Sequence, residues 1–351
     1  MLKHHTPAVF VDFSEFTLRI AKASHFEHPI QVEAIAELSL LTNPSPADIR
    51  DFVREFVDLK GGAYCVAHCG MHPEGRFLHY FEAESIAKLK DPAYLPAVLE
   101  SEFKLDTERN AIAVLNAADG IGVDWGQANA KKLLFCGAPL AAIQAGQDEL
   151  LTFGVYPRRL ELSTVACLGG LADFTRFSQL HSPVLYVELT RAGMSLCILY
   201  QGRVEVVREV SLGLESLLPI LQQEVGVTDR SAARKLLFAN SFDFAAMGPK
   251  LLRRVIKELQ ASTGLYEVQT GLTIDRVLFS ALPEHLDWIT PTLTTALGME
   301  LLQLPIKPWI ESLRVRLDDS VNASELDARW LGLFSLMAAF HLREEAVHAA
   351  G

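Results

Sequence analysis

One order of apolar runs occurs twice in these 351 residues, and it limits the folds open to the chain. In the first copy Ala8-Val9-Phe10-Val11 is apolar throughout, the pattern of a strand buried on both faces. Polar residues Asp12 to Thr17 interrupt it and Leu18 to Ala23 alternates. After a turn at Ser24 to Pro29, Gln31 to Leu38 alternates again. A helix is predicted from about Ala47 to Leu59, with Ile49, Phe52, Val53, Phe56 and Val57 on one stripe. Ser45 would cap it and Pro46 would hold its first position. Gly61-Gly62 stops it, and Ala63 to Cys69 forms the next strand.

The second copy begins at Val184 to Glu188 and turns at Thr190 to Gly193. It continues through Ser195 to Tyr200, the Gln201-Gly202 turn and Arg203 to Val210. A helix from about Leu214 to Val225, a strand at Ile274 to Ser280, a helix at Glu284 to Leu297 and a strand at Met299 to Leu304 follow. A pattern repeated once, at long range, implies two similar lobes rather than a solenoid.

Each copy is interrupted. Residues 73–140 read as a small α+β unit, with strands at Phe77 to Phe81, Ala111 to Asn116 and Lys132 to Cys136 and a helix at Tyr94 to Phe103. Its aromatics Tyr94, Phe103 and Trp125 read as core. Residues 227–272 read as mainly helical, over Ala232 to Ala239 and Pro249 to Thr263. The expected first lobe is therefore 1–180, with its core at 1–72 and 141–180. The expected second lobe is 181–351, with its core at 181–226 and 273–310 and a hinge near Gln179 to Pro183. A last helix, 325–342, is apolar nearly all round and should be buried against the first lobe.

Composition narrows the function. Hydrophobic residues make up 50% and charged residues 21%, which argues against disorder. The net charge of −11 argues against binding duplex nucleic acid, and against docking on an anionic lipid surface by charge alone. Met1 to Thr6 does not read as a signal peptide, and the apolar stretch Trp330 to Leu342 is short of the roughly 20 residues of a membrane span. A cytoplasmic protein is expected. The five cysteines, at 65, 69, 136, 167 and 197, suit buried thiols in a reducing compartment. Cys65, His68, Cys69, His72 and His79 could supply metal ligands, but strand alternation sends His68 to the face opposite Cys65 and Cys69. The spacing matches no zinc knuckle, so core cysteines are the expectation and no metal is expected.

The order of elements, from Val9 to about Phe340, resembles the actin-like ATPase superfamily and, within it, the type IV pilus assembly PilM family. Asp12-Phe13-Ser14-Glu15-Phe16-Thr17-Leu18-Arg19 stands where that family has a first phosphate loop. The insertion around Gly75 to Leu78 and Val98 to Phe103 looks like its small subdomain. Val207 to Gly213 resembles its strand-to-helix junction, and Ile274 to Ser280 the strand before its adenosine loop. The resemblance implies an α/β fold with α+β insertions: actin-like, two-lobed, and duplicated on a ribonuclease-H-like core.

The loops depart from that pattern. Family phosphate loops use glycine because their amides must approach phosphate closely at a tight hairpin tip. Here Ser14 replaces the glycine, Glu15 adds an anion and Phe16 adds bulk. The second loop reads Glu188-Leu189-Thr190 followed by Arg191, and the third reads Ser280-Ala281-Leu282-Pro283 without a glycine. By the resemblance, Asp12, Ser14, Thr17, Arg19, Glu188, Thr190, Gly213 and Ser280 are remnants of nucleotide loops.

Each remnant has a second reading. Asp12 orients a metal-bound water or merely ends a strand. Glu188 reaches Mg²⁺ through water or pairs with Arg191 or Arg19. Arg19 binds phosphate or neutralises Asp12 or Glu188. Thr17 and Ser280 read as turn hydroxyls. No catalytic residue is expected, and ATP with Mg²⁺ would bind weakly or not at all.

Two functions follow from the resemblance. One is a scaffold that binds the N-terminal cytoplasmic tail of a PilN-like, single-span inner-membrane protein, in a groove between the first lobe and its insertion. Such a scaffold would meet the membrane through that partner, could contact pilus motor ATPases and could oligomerise. The other is an ATP-binding switch or slow ATPase of pilus or type II secretion assembly. The lost glycines favour the scaffold.

Overall fold

The computed structural model describes residues 7–59, 63–124, 130–238, 242–279 and 282–338; Gly61, Gly62, Trp125, Ser280 and Ala281 lie outside them. Contacts divide the chain into one unit of Met1–Phe177 with Leu304–Gly351 and another of Ser178–Gln303.

In the first unit, β1 (Ala8–Phe13), β2 (Thr17–Ala23) and β3 (Ile30–Ser39) form the expected antiparallel meander. Helix α1 (Pro46–Val57) starts where the sequence says. Ser45 Oγ accepts the N–H of Asp48 at 3.2 Å while Asp48 accepts the N–H of Ser45 at 2.8 Å, a reciprocal cap. Strand β4 (Cys65–Met71) then lies parallel to β1.

The insertion follows as β5 (Phe77–Glu82), α2 (Ile86–Leu89), α3 (Tyr94–Ser101), β6 (Asn110–Asn116) and β7 (Lys132–Pro139). Its three-stranded sheet has the order β5-β7-β6. It encloses its own core of Phe81, Leu89, Leu95, Leu99, Leu133 and Phe135, with Tyr94 and Phe103 packed against it.

The chain returns through α4 (Leu140–Thr152) to β8 (Val155–Leu162), parallel to β4, and then to α5 (Ser163–Phe177). Beneath the sheet, Val9, Val11, Cys65, Ala67 and Cys69 pack on Ile49 and Val53 of α1.

The second unit repeats this plan. Strands β9 (Val184–Leu189), β10 (Met194–Tyr200) and β11 (Arg203–Val210) form the meander, followed by α6 (Leu218–Val225). The helical insertion is α7 (Arg230–Phe238), α8 (Gly248–Leu251) and α9 (Arg253–Thr270). Strand β12 (Arg276–Phe279), α10 (Ile289–Leu297) and the two-residue β13 (Glu300–Leu301) complete it. The sheet orders β3-β2-β1-β4-β8 and β11-β10-β9-β12-β13 are the same walk, so the duplication read from the sequence is a duplication of topology.

One boundary differs from expectation. The segment from Leu304 onward, assigned from sequence to the second lobe, groups with the first unit. Its α11 (Ile306–Ser312) buries Trp309 completely, and the indole N–H donates to Asp173 of α5 at 2.9 Å. Its β14 (Val315–Leu317) adds beside β3 as a sixth strand. The last helix starts at 331 rather than 325, because Ala323–Glu325 and Ala328–Trp330 are short 3₁₀ turns. This helix, α12 (331–338 as described), is buried as expected, with Leu333, Phe334 and Met337 inaccessible.

Candidate functional site

The first hairpin, between β1 and β2, closes on itself. Ser14 Oγ accepts the N–H of Phe16 at 3.2 Å and that of Thr17 at 3.1 Å, while the Ser14 N–H donates to the Thr17 carbonyl. The amides that a glycine loop would offer to phosphate are thus bonded to the loop's own hydroxyl. Phe16 and Thr17 are both buried.

The second hairpin, between β9 and β10, uses the same device. Thr190 Oγ1 accepts the N–H of Gly193 at 3.0 Å, and the Thr190 N–H donates to the Gly193 carbonyl. Gly213 has a packing role here: a Cβ on it would stand 2.3 Å from the Arg191 carbonyl and 2.4 Å from the Gly193 nitrogen. That close approach lets Leu214 and Glu215 donate their N–H groups to Thr190 and Arg191.

Asp12, at the end of β1, is buried. Ser163, the first residue of α5, donates to its carboxylate at 2.6 Å. Gly332 of α12 packs directly over it, so close that a Cβ there would lie 2.4 Å from Asp12 Oδ2. Arg19 sits opposite Asp12 on one side and Glu37 on the other, and its guanidinium pairs with Glu37. Glu37 thus takes the role that sequence reasoning gave to Asp12 or Glu188. One guanidinium nitrogen of Arg19 is buried with no hydrogen-bond partner among the described residues. In the second unit Glu188 is buried on β9, and the Arg191 guanidinium lies 5.2 Å from the centre of the Phe238 ring. Ser280 lies outside the described residues.

A nucleotide phosphate at either hairpin tip would have to displace a hydroxyl already bonded there. A metal-bound water beside Asp12 would compete with Ser163 and Gly332. As placed, these groups satisfy one another at both hairpin tips and at Asp12. Sequence reasoning missed Ser163, Glu37 and Gly332. Cross-strand register could have signalled Glu37, but nothing local marks the other two.

A second feature of the first unit is a groove. Strand β8 is the outer strand of the core sheet and β6 the outer strand of the insertion's sheet. Between them lies a cavity of about 440 Å³. Its wall includes Met71, Ile112, Leu115, Ile143, Leu160 and Leu162, with Gln147 and Glu161 as polar members. Gly146 of α4 makes room for its floor, since a Cβ there would meet Met71 Cε at 2.0 Å.

The open edge of β6 can be read from its hydrogen bonds. Val114 accepts from the Val123 N–H at 2.8 Å and Asn116 donates to Ile121 at 2.9 Å, both on the side away from β7. Because main-chain groups alternate along an antiparallel strand, Ile112 also turns its N–H and carbonyl outward, at the part of the edge that lines the groove.

Cys65 and Cys69 lie in the core with their thiols pushed up by burial, that of Cys65 to about 12. His68 is on the opposite face, stacked on Phe26 at 4.0 Å. Burial, then the charges of Arg159 and Arg158, lower it to about 4. Among the described residues no group of three or more His, Cys, Asp or Glu is placed to hold a metal.

No protein-family model and no curated protein matches the sequence. The structure does have counterparts. A chain of the PilM–PilN type IV pilus biogenesis complex superposes with a TM-score of 0.68 over 96% of this chain and 99% of that one, at 15% identity. A Bacteroides thetaiotaomicron protein with an actin-like ATPase fold and unknown function gives a TM-score of 0.46, at 8% identity over 89% and 96%. The cytoplasmic domain of EpsL, an inner-membrane component of the Vibrio cholerae type II secretion system, gives 0.40, at 12% identity over 97% and 95%. The chain has the actin-like α/β fold expected from its sequence, in the form seen in the pilus complex.

Proposed function

We propose that this chain is a cytoplasmic scaffold of a type IV pilus or related assembly machine. It takes up the N-terminal tail of a PilN-like inner-membrane protein as an added strand in the groove between β6 and β8. The observation that carries this reading is the outward-facing main chain of Ile112 above an apolar cavity. Strand addition takes its affinity from main-chain bonds and its specificity from side-chain pockets, and both are at hand here. The similar chain comes from a complex with PilN, which supports the choice of partner.

The scaffold does not turn nucleotide over, because both hairpin tips are closed by Ser14 and Thr190 and Asp12 is covered. Among the described residues no helix is long and apolar enough to cross a membrane. In this reading the bound tail is what holds the scaffold at the membrane.

Fluorescence anisotropy with a labelled tail peptide tests the proposal. Leu162→Arg places a cation in the apolar wall and should weaken binding at least tenfold while far-UV circular dichroism stays unchanged. Ile112→Pro removes the outward amide at an edge position where proline is tolerated, and should do the same. If both variants bind like the parent, the tail sits elsewhere.

A further inference from the structure

The chain carries a net charge of −11, yet the helical insertion 227–272 holds seven Lys or Arg against four Asp or Glu. Its longest helix, α9, divides these charges by face. Val255, Leu259 and Tyr266 are buried against the second unit. The outward face carries Arg253, Arg254 and Lys257 in its first half and Ala261, Leu265 and Val268 in its second, all exposed. Val268 is 85% exposed and Leu265 59%.

Both acids of the helix are turned aside and engaged. Glu258 pairs with Arg208 at 3.2 Å, and Glu267 accepts the N–H of Ile274 at 2.8 Å. Among the described residues none of the three outward cations has an ion-pair partner. Gly264, midway along the face, has nothing within 4 Å of where its Cβ would be.

We infer that the outward face of α9 docks on an anionic lipid surface. A run of cations with no acid among them, continuing into exposed leucine and valine on the same helix face, is the pattern of a helix lying at a lipid headgroup boundary. The overall negative charge does not forbid this. At physiological salt the screening length is about 8 Å, so the nearest charges decide the contact. Three cations and two large apolar side chains give a weak, reversible contact. It is measurable by itself with vesicles in excess, and a second attachment at the surface would tighten it further by raising the local concentration. The inference stands on α9 alone and does not depend on the groove.

Co-sedimentation of the full chain with phosphatidylcholine vesicles, with and without phosphatidylglycerol, tests it. The protein should pellet with the anionic vesicles only, and less so as salt is raised. Lys257→Glu and Arg254→Glu, both exposed changes, should each reduce binding about tenfold. Gly264→Leu adds apolar surface to the same face and should tighten it.

Equal binding to neutral and anionic vesicles would overturn the inference, as would anionic binding unaffected by these variants. Self-association in sedimentation velocity, lost in the charge-reversed variants and with no vesicle binding, would assign the face to an acidic surface of a second copy and overturn it too.

Discussion

Ser14 accepts the main-chain N–H of Thr17 through its own hydroxyl, at 3.1 Å, across the tip of the first hairpin. Thr190 treats Gly193 the same way in the second unit, at 3.0 Å. The two copies of the fold thus share one local device at the place where glycine loops would present amides to phosphate. Ser14→Ala removes the acceptor for the amides of the buried residues Phe16 and Thr17. It should cost about 1–2 kcal/mol in urea denaturation. An unchanged midpoint would mean that water replaces the hydroxyl.

The same closure predicts the response to nucleotide. Isothermal titration of the full chain with ATP and Mg²⁺ should give no saturable heat at micromolar protein. Micromolar affinity, or a nucleotide retained through purification, would show that the hairpins open more readily than their hydrogen bonds imply.

Asp12 and Gly332 form a second testable pair. Gly332→Ala pushes a methyl group into the carboxylate and should destabilise by about 1–3 kcal/mol. In the Asp12→Ala background the space exists, so the methyl should fit. A double-mutant cycle should then show coupling of about 0.5–3 kcal/mol. Additive costs would mean that α12 shifts away without resistance.

His68 makes stability depend on pH in a known direction. Its folded value, near 4, lies below the ordinary imidazole value of 6.5 because burial and two neighbouring arginines disfavour the cation. Between these values the unfolded chain binds the extra proton, so stability falls as pH drops from about 7 toward 4 and is level above 7. His68→Phe keeps an aromatic ring against Phe26 and removes the titration. Its urea midpoint should vary less between pH 7 and 5 than that of the parent, and equal slopes would assign the dependence to other groups.

Much of this architecture was legible because it is written in local signals. Period-two alternation in Leu18 to Ala23 and Gln31 to Leu38 gave the meander, and Ser45 before Pro46 gave the helix start, down to its cap. Strand β14 was not legible. Leu313 to Leu317 does alternate apolar with cationic residues, but the run is short and its three-residue strand pairs with β3 across most of the chain, an edge that only the folded sheet creates. The partner of Arg19 was misjudged for a related reason. Glu37 lies 18 residues away and becomes a neighbour only through strand register. The groove is the hardest feature to read, because it exists only where the edges of two sheets meet.

The proposed tail binding rests on the groove. Hydrogen exchange at the β6 amides, with and without the tail peptide, tests it most directly. Ala111 and Ala113 face β7, and their protection should not change on binding. The amide of Ile112 faces the open edge, and its exchange should slow markedly once a peptide strand pairs with it. If the peptide binds while Ile112 exchanges as fast as before, the tail is not held as a strand on β6.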